Sequence, residues 1–514
     1  MTRRLTIEDL FTIRLVADPN ISPDGAKIAF VVTTVDKEKN GYRSAVWMTN
    51  AADDSEPFQF TGGHAKDASP RWSPDGSHLA FLSNRTENKN QLFVMASDGG
   101  EAWQVTHTPN AVGDFTWAPD GKALYIVTKE EPEEKPESDT KVIRTLRYKF
   151  DGEGFWDGKR RQIYRVGIDG GEPEQLTSGD WDSTQPAPNV DGKRLAFVSN
   201  RSEDRDANSK SDVWILDLES GETSRISPED GVYGAPSWSP DGSHLAYVGY
   251  PIVTPYGPTT LADLYLWEPE SDEHRRLMVN MDREPGNSAI SDSRYGVPNP
   301  VPTWTADGRS IFSLLSDAGS AHIYSCPVDG QPSLQVGEVR DIQSFTTSND
   351  GAIAFAASTQ AQPTEVFHVS PNGEERQISN VNAVFNDEVE LGEVEEVRYE
   401  SDPGVEVHGW LVKPPGLNPE AKYPAIIEVH GGPHGMYGAG FFHEMQVLAA
   451  KGYVVLMTNP RGSTGYGQVW VAGTLADWGG ADYRDVEAGV PFLESLGYVD
   501  SERIGITGGS YGGY

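Results

Sequence analysis

At 514 residues the chain is too long for one ordinary domain, so two or three are expected. Its 42 basic and 77 acidic residues leave a net charge of −35. That argues against nucleic-acid binding, which needs a basic surface, and against docking on anionic membranes. Cys326 is the single cysteine, which excludes an intrachain disulfide and is compatible with a reducing compartment.

The N-terminus carries Arg3 and Arg4, but Glu8 and Asp9 interrupt any apolar run, so no signal peptide is expected. No stretch of about 18 apolar residues predicts a transmembrane helix, and a cytoplasmic location is the default expectation. The acidic surface reads as self-repelling and is compatible with adaptation to salt.

A turn then recurs along the first three-quarters of the chain. Its clearest copies are Trp72-Ser73-Pro74-Asp75-Gly76 before Leu79-Ala80-Phe81, and Trp238-Ser239-Pro240-Asp241-Gly242 before Leu245-Ala246-Tyr247. Pro presets φ at the second turn position, Asp tolerates the third and Gly suits the fourth. The apolar run that follows reads as a buried strand. Seven Asp-Gly pairs begin at 24, 75, 120, 191, 241, 307 and 350, spaced by 51, 45, 71, 50, 66 and 43 residues. A four-stranded blade takes roughly 40–50 residues. The two long gaps hold proline-bearing excursions, Lys129 to Glu137 and Tyr250 to Pro258. The pattern predicts a seven-bladed β-propeller over about residues 20–385, within a first domain spanning 1–390. An array of β-sandwiches is the alternative. The excursion at 129–139 reads as a solvated loop. Arg144 to Phe150 mixes cations and aromatics, and suits either a substrate-facing segment or a blade strand with basic edges.

Beyond about Glu390 strand and helix patterns alternate, which predicts a mostly parallel sheet over 391–514. Strands are expected at Val405–Val412, Tyr423–Val429, Tyr453–Thr458 and Ile504–Ile506, with helices at Phe441–Lys451 and Asp482–Leu496. Gly489 and Pro491 weaken the second helix. These 124 positions fall short of the roughly 200–250 residues common in large α/β domains.

Gly508-Gly509-Ser510-Tyr511-Gly512 contains G-x-S-x-G after the last strand, the elbow that exposes a nucleophilic serine. Acyl transfer also needs N–H donors aimed at the developing oxyanion. Tyr511 supplies one, and Gly432 or Gly431 in His430-Gly431-Gly432-Pro433 supplies the other. The loop Asn459 to Gly467 follows a strand end, where open sheets bind ligands. On it Arg461 and Tyr466 are candidate substrate contacts, and Arg461 is equally suited to pair with Asp477 or Asp482. Asp482 and Asp485 read as charge complements to a helix start. His430, His434 and His443 have no completing ligand set for zinc, so no metal and no cofactor is expected. Triad order places Asp or Glu and then His after Ser510, yet only Tyr511, Gly512, Gly513 and Tyr514 follow, and using His430 as base would break that order.

On these motifs, with Trp478-Gly479-Gly480 and the opening Thr6-Ile7-Glu8-Asp9-Leu10, the chain resembles the prolyl oligopeptidase family of serine peptidases, especially its acylaminoacyl-peptidase-like branch. The resemblance implies an N-terminal propeller capping an α/β-hydrolase domain. It implies cleavage of short peptides at N-terminal or acylated residues, with Ser510 as nucleophile and Tyr511 and Gly432 N–H groups holding the oxyanion. The sequence then reads as a fragment, inactive without the family's Asp and His, with Ile504–Ile506 left as an unpaired edge. An esterase on the same scaffold and a non-catalytic peptide-binding propeller are the alternatives, and a homo-oligomer stays open.

Overall fold

The computed structural model describes residues 2–52, 55–130, 140–254, 260–296 and 301–514. Most of the first excursion, 131–139, and the end of the second, 255–258, lie outside them.

Among the described residues seven consecutive groups of four antiparallel strands form blades, over 15–59, 67–104, 112–175, 184–225, 231–276, 303–336 and 341–377. The β-sandwich alternative does not describe this arrangement. A single parallel bridge, Ala321 to Asp341, joins the last two blades. Each predicted turn forms as the sequence dictates. Gly25 N donates to Ser22 O at 2.8 Å, and Gly76 N to Ser73 O at 2.9 Å. The seven turn glycines have φ between 67° and 90°, a left-handed conformation that disfavours other residues. Ser73 Oγ and Ser239 Oγ each donate to the turn aspartate at 2.6 Å, which with the following N–H holds Asp75 and Asp241 down at about 2.

The turn tryptophan adds something the turn itself does not predict. Trp72 Nε1 donates to Asn20 O (2.9 Å), Trp117 to Arg71 O (3.0 Å), Trp238 to Ala187 O (3.1 Å) and Trp304 to Ser237 O (3.0 Å). Each indole therefore fastens its blade to the preceding one. The ring closes between last and first blades through Ile21 N on Thr346 Oγ1 (2.9 Å) and Arg376 on Ala51 O (2.6 Å).

The second sheet contains β1 (Val394–Glu400), β2 (Glu406–Val412), β3 (Tyr423–Val429), β4 (Val454–Asn459) and β5 (Val499–Gly508), in the order β1-β2-β4-β3-β5. β4, β3 and β5 are parallel. β1 and β2 run antiparallel to each other, and β2 antiparallel to β4. The five residues between β1 and β2 are too few for a parallel crossover. α1 (His443–Ala450) covers one face of the sheet, packing Met445 and Ala449 with Trp410 and Met457. The expected helix 482–496 is broken into α2 (Ala481–Glu487) and α3 (Gly489–Ser495), and α3 buries Leu493 against Ile427 and Leu456 on the other face. β5 pairs only with β3, leaving Ile506 64% exposed on the sheet's edge.

A strap at 282–296, between the fifth and sixth blades, locks the hydrolase sheet to the propeller. Ile290 N donates to Met436 O (2.9 Å), and Ser291 and Ser293 hydroxyls donate to Phe441 O (2.9 Å each). Asp292 accepts the first α1 N–H groups, those of His443 and Glu444, at 2.8 Å each. Arg294 and Asn287 reach the fully buried Asp341 at 2.6 and 2.5 Å.

The turns differ in what a side chain would meet. A Cβ on Gly242 would lie 2.4 Å from Asn189 Oδ1, whereas one on Gly192 meets open space. Gly192→Ala should therefore cost only the left-handed strain, about 1–2 kcal/mol. Gly242→Ala should cost more and give the lower thermal midpoint of the two.

Candidate active site

The predicted elements converge at the C-terminal end of the parallel strands. β5 ends at Gly508, and the chain turns through Gly509 into a short 3-10 helix, Ser510–Gly513. Here two main chains nearly touch. A Cβ on Gly508 would lie 2.3 Å from Val429 O, and one on Gly512 2.0 Å from the same oxygen. Only glycine fits either place. The resulting sharp turn forces Ser510 to φ 56°, a strained conformation for a residue with a Cβ, and leaves its side chain exposed.

The end of β3 supplies the opposite wall. A Cβ on Gly431 would sit 3.3 Å from Ser510 Cβ and 3.8 Å from its Oγ, so the main chain of 431–432 borders the hydroxyl. Among the described residues the N–H groups of Gly431, Gly432 and Tyr511 donate to no protein acceptor. The structure thus brings together four of the predicted site residues: Ser510, Tyr511, Gly431 and Gly432. Tyr511 packs edge-on against Trp478 at 5.1 Å. Met436 pairs with the strap at Ala289, which turns this end of the sheet toward the propeller.

His430 does not face Ser510. It is buried, with Nε2 2.9 Å from Ser463 Oγ and Nδ1 2.8 Å from Gly431 O. Burial pushes its pKa down to about 4, so the ring is neutral at pH 7. Among the described residues no histidine or carboxylate hydrogen-bonds Ser510.

Arg461 and Tyr466 are held by the protein. Arg461 forks onto the buried Asp485, with Nε on Oδ2 at 2.9 Å and a terminal nitrogen on Oδ1 at 2.7 Å, and it also reaches Asp402 at 2.7 Å. Its partners are thus Asp485 and Asp402 instead of Asp477 or Asp482. Asp485 is correspondingly the anchor of this loop: it accepts Arg461 N (2.8 Å) and Ser401 Oγ (2.6 Å). Asp482 stays at the helix start and accepts Gly479 N at 3.2 Å. The Tyr466 hydroxyl lies 2.5 Å from His408 Nδ1 and accepts Asn459 Nδ2 at 2.7 Å. Nothing in local sequence spacing marks Asp402 or His408, because their partners lie 59 and 58 residues away.

Glu428, on β3 beneath this loop, was not anticipated either. It is buried, and its Oε1 has no partner among the described residues. Burial, with Glu444 nearby, pushes its pKa up to about 7.

Two outcomes follow from these buried carboxylates. Glu428 is protonated in the fold but ionised in the unfolded chain between about pH 4.3 and 7, so stability falls as pH rises through that window. Glu428→Gln removes the titration, and the difference in melting temperature between variant and parent should widen from pH 5 to pH 8. Arg461→Met leaves the Asp485 charge buried and unpaired, and should destabilise the sheet by about 3–5 kcal/mol, read as a lower urea midpoint.

Comparison with known proteins agrees with this architecture. Residues 439–514 match the prolyl oligopeptidase family, and residues 11–149 match the TolB beta propeller domain. The uncharacterized peptidase YuxL of Bacillus subtilis is 37% identical over all of this chain and 80% of its own length. Dipeptidyl-peptidase 5 of Porphyromonas gingivalis is 26% identical over 99% of this chain and 75% of its own. Among solved structures, the uncomplexed acylaminoacyl peptidase of Pyrococcus horikoshii superposes with a TM-score of 0.80 at 25% identity, covering 99% of this chain and 75% of that one. With the propeller, the strained serine elbow and a 37%-identical peptidase relative along its whole length, this chain belongs to the prolyl oligopeptidase family of serine peptidases.

Proposed function

We propose that this peptidase cleaves short peptides by acyl transfer to Ser510, releasing N-terminal or acylated residues. The observation that carries the reading is the exposed, strained Ser510 hydroxyl beside the unpaired N–H groups of Tyr511 and Gly432, with Gly431 lining the approach. Ser510 Oγ attacks the scissile carbonyl while its proton passes to a base, and the carbonyl oxygen becomes an oxyanion held by the two N–H groups. The tetrahedral intermediate collapses with cleavage of the C–N bond, the amine leaves with the proton the base had taken, and water then hydrolyses the acyl-enzyme to free Ser510. Arg461 and Tyr466 support the loop through Asp485, Asp402, His408 and Asn459. The proteins named acylaminoacyl peptidase and dipeptidyl-peptidase 5 favour N-terminal release.

We place the base and its carboxylate partner in sequence beyond Tyr514, so that the 514 residues alone are inactive. Two facts support this. No histidine or carboxylate bonds Ser510 among the described residues, and β5 exposes Ile506 where a further strand would pair. We also favour a reducing, cytoplasmic setting, since Cys326 is a lone buried thiol.

The test is hydrolysis by the chain extended through its gene's downstream frame, on acetyl-aminoacyl anilides, dipeptidyl anilides and short acyl esters. Anilide cleavage that falls at least about 10⁴-fold in Ser510→Ala is the expected result. Turnover of esters alone would make the protein an esterase. Peptide binding without turnover would make it a binding propeller. Light scattering on the same sample reads the oligomeric state.

A further inference from the structure

The propeller carries a second cluster of chemistry, away from Ser510. The loops joining second to third strands in the sixth and seventh blades meet the hydrolase: Ala439 N donates to Gly319 O at 2.7 Å, and Gln360 bonds Gly438 O. Blades are related by rotation about the propeller axis, so the same loops of the third and fourth blades open on the same face. The catalytic end of the hydrolase sheet, anchored there by Met436, faces it too.

The described parts of those loops, 140–160 and 200–211, border a cavity of about 200 Å³. Its walls carry seven lysines and arginines against three carboxylates, Glu153, Asp182 and Asp206, in a protein whose net charge is −35. The cavity is built, not incidental. Asp206 accepts Leu146 N (2.6 Å) and Arg147 N (3.0 Å), stapling the cationic segment onto the fourth blade. Arg160 stacks 4.4 Å over Trp156 and bonds Asp180 at 3.0 Å. The remaining carboxylates go to Arg161 and Lys129. Among the described residues that leaves Arg147, Lys159 and Lys210 on the wall with no carboxylate at ion-pair distance. Phe150 and Trp156 add apolar walls.

We propose that this pocket binds a carboxylate of the peptide substrate, either the C-terminal carboxylate or an acidic side chain, through Arg147 and Lys210. The proposal rests on the peptidase reading for the identity of the ligand. Fork-shaped guanidinium donors suit a planar carboxylate, and the aromatic walls suit the residue that bears it. Three cations without a carboxylate partner, Arg147 oriented by a bond to the Asn208 carbonyl, attract an anion far more strongly in a half-enclosed site than scattered surface lysines do.

Isothermal titration of the chain tests this without turnover. The probes are acetyl-Ala-Ala-Ala-Phe as the free acid, its C-terminal amide, the amide with Glu replacing the second alanine, and inorganic phosphate. The free acid should bind at least about tenfold more tightly than the plain amide, the value of one lost charge-assisted bond. Arg147→Gln with Lys210→Gln should abolish that difference, as should Lys159→Gln in part, at unchanged melting temperature. Affinity of the Glu-bearing amide equal to the free acid assigns the site to acidic side chains, and affinity equal to the plain amide assigns it to C-termini. Equal binding of acid and plain amide, no binding of either, or phosphate binding as tightly as the acid would overturn the proposal. Failure of the peptidase reading registers separately, as absent hydrolysis by the extended chain with the carboxylate preference intact.

Discussion

The close approach of two main chains at the ends of β3 and β5 is the constraint on which the site depends. With Gly508 and Gly512 against the Val429 carbonyl, the chain has no room for a gradual exit from the sheet and must reverse at once. That reversal puts Ser510 in a left-handed conformation and swings its hydroxyl out beside Gly431. The same crowding keeps the Gly431–Gly432 main chain within reach of whatever the serine attacks. Strain of about 1–3 kcal/mol is held in place by the parallel pairing of β3 with β5 and, beyond it, with β4.

The sheet in turn is oriented by polar contacts along the strap at 282–296. Asp292 caps α1, Arg294 and Asn287 satisfy the buried Asp341, and the serine hydroxyls close on Phe441 O. These contacts are short and directional, so they fix how the nucleophile's end of the sheet meets the propeller. Arg461 does comparable work inside the hydrolase. It bridges the loop after β4 to α2 through Asp485 and to the β1–β2 turn through Asp402.

The sequence announced those parts whose causes are local. Ser-Pro-Asp-Gly encodes its own turn, so seven blades were legible from spacing alone, and G-x-S-x-G after an apolar run marked the elbow. The antiparallel β1–β2 pair was hidden, since alternation marks a strand but not its direction. The break lay in view, since Pro491 has no N–H to donate to Glu487 O where α2 ends, whereas the need for glycine at 489 is tertiary: Leu456 lies 3.0 Å from where a Cβ would stand. Least legible were the partners of Arg461. Four acidic residues lie on or near its loop and helix, and only the fold selects Asp485, while Asp402 comes from a turn far earlier in the chain. The strap carries no periodic pattern at all, because its bonds to other elements and its own side-chain bonds, such as Ser293 N on Ser291 Oγ and Ala289 N on Asn287 Oδ1, follow no helix or strand ladder.

The turn-tryptophan bonds between blades all point the same way along the chain, while Trp103 of the second blade donates forward to Ile168 O of the third at 3.0 Å. Trp72, Trp117, Trp238 and Trp304 each donate to main-chain oxygen of the blade made before their own, never to one made after it. During synthesis the acceptor of each of these four bonds therefore leaves the ribosome ahead of its donor. Each of these blades can settle on a finished template as it emerges, and growth of the propeller is vectorial. The seam between last and first blades has no such indole. It joins the two ends of the ring through Thr346 and Arg376, and is necessarily the last contact to form.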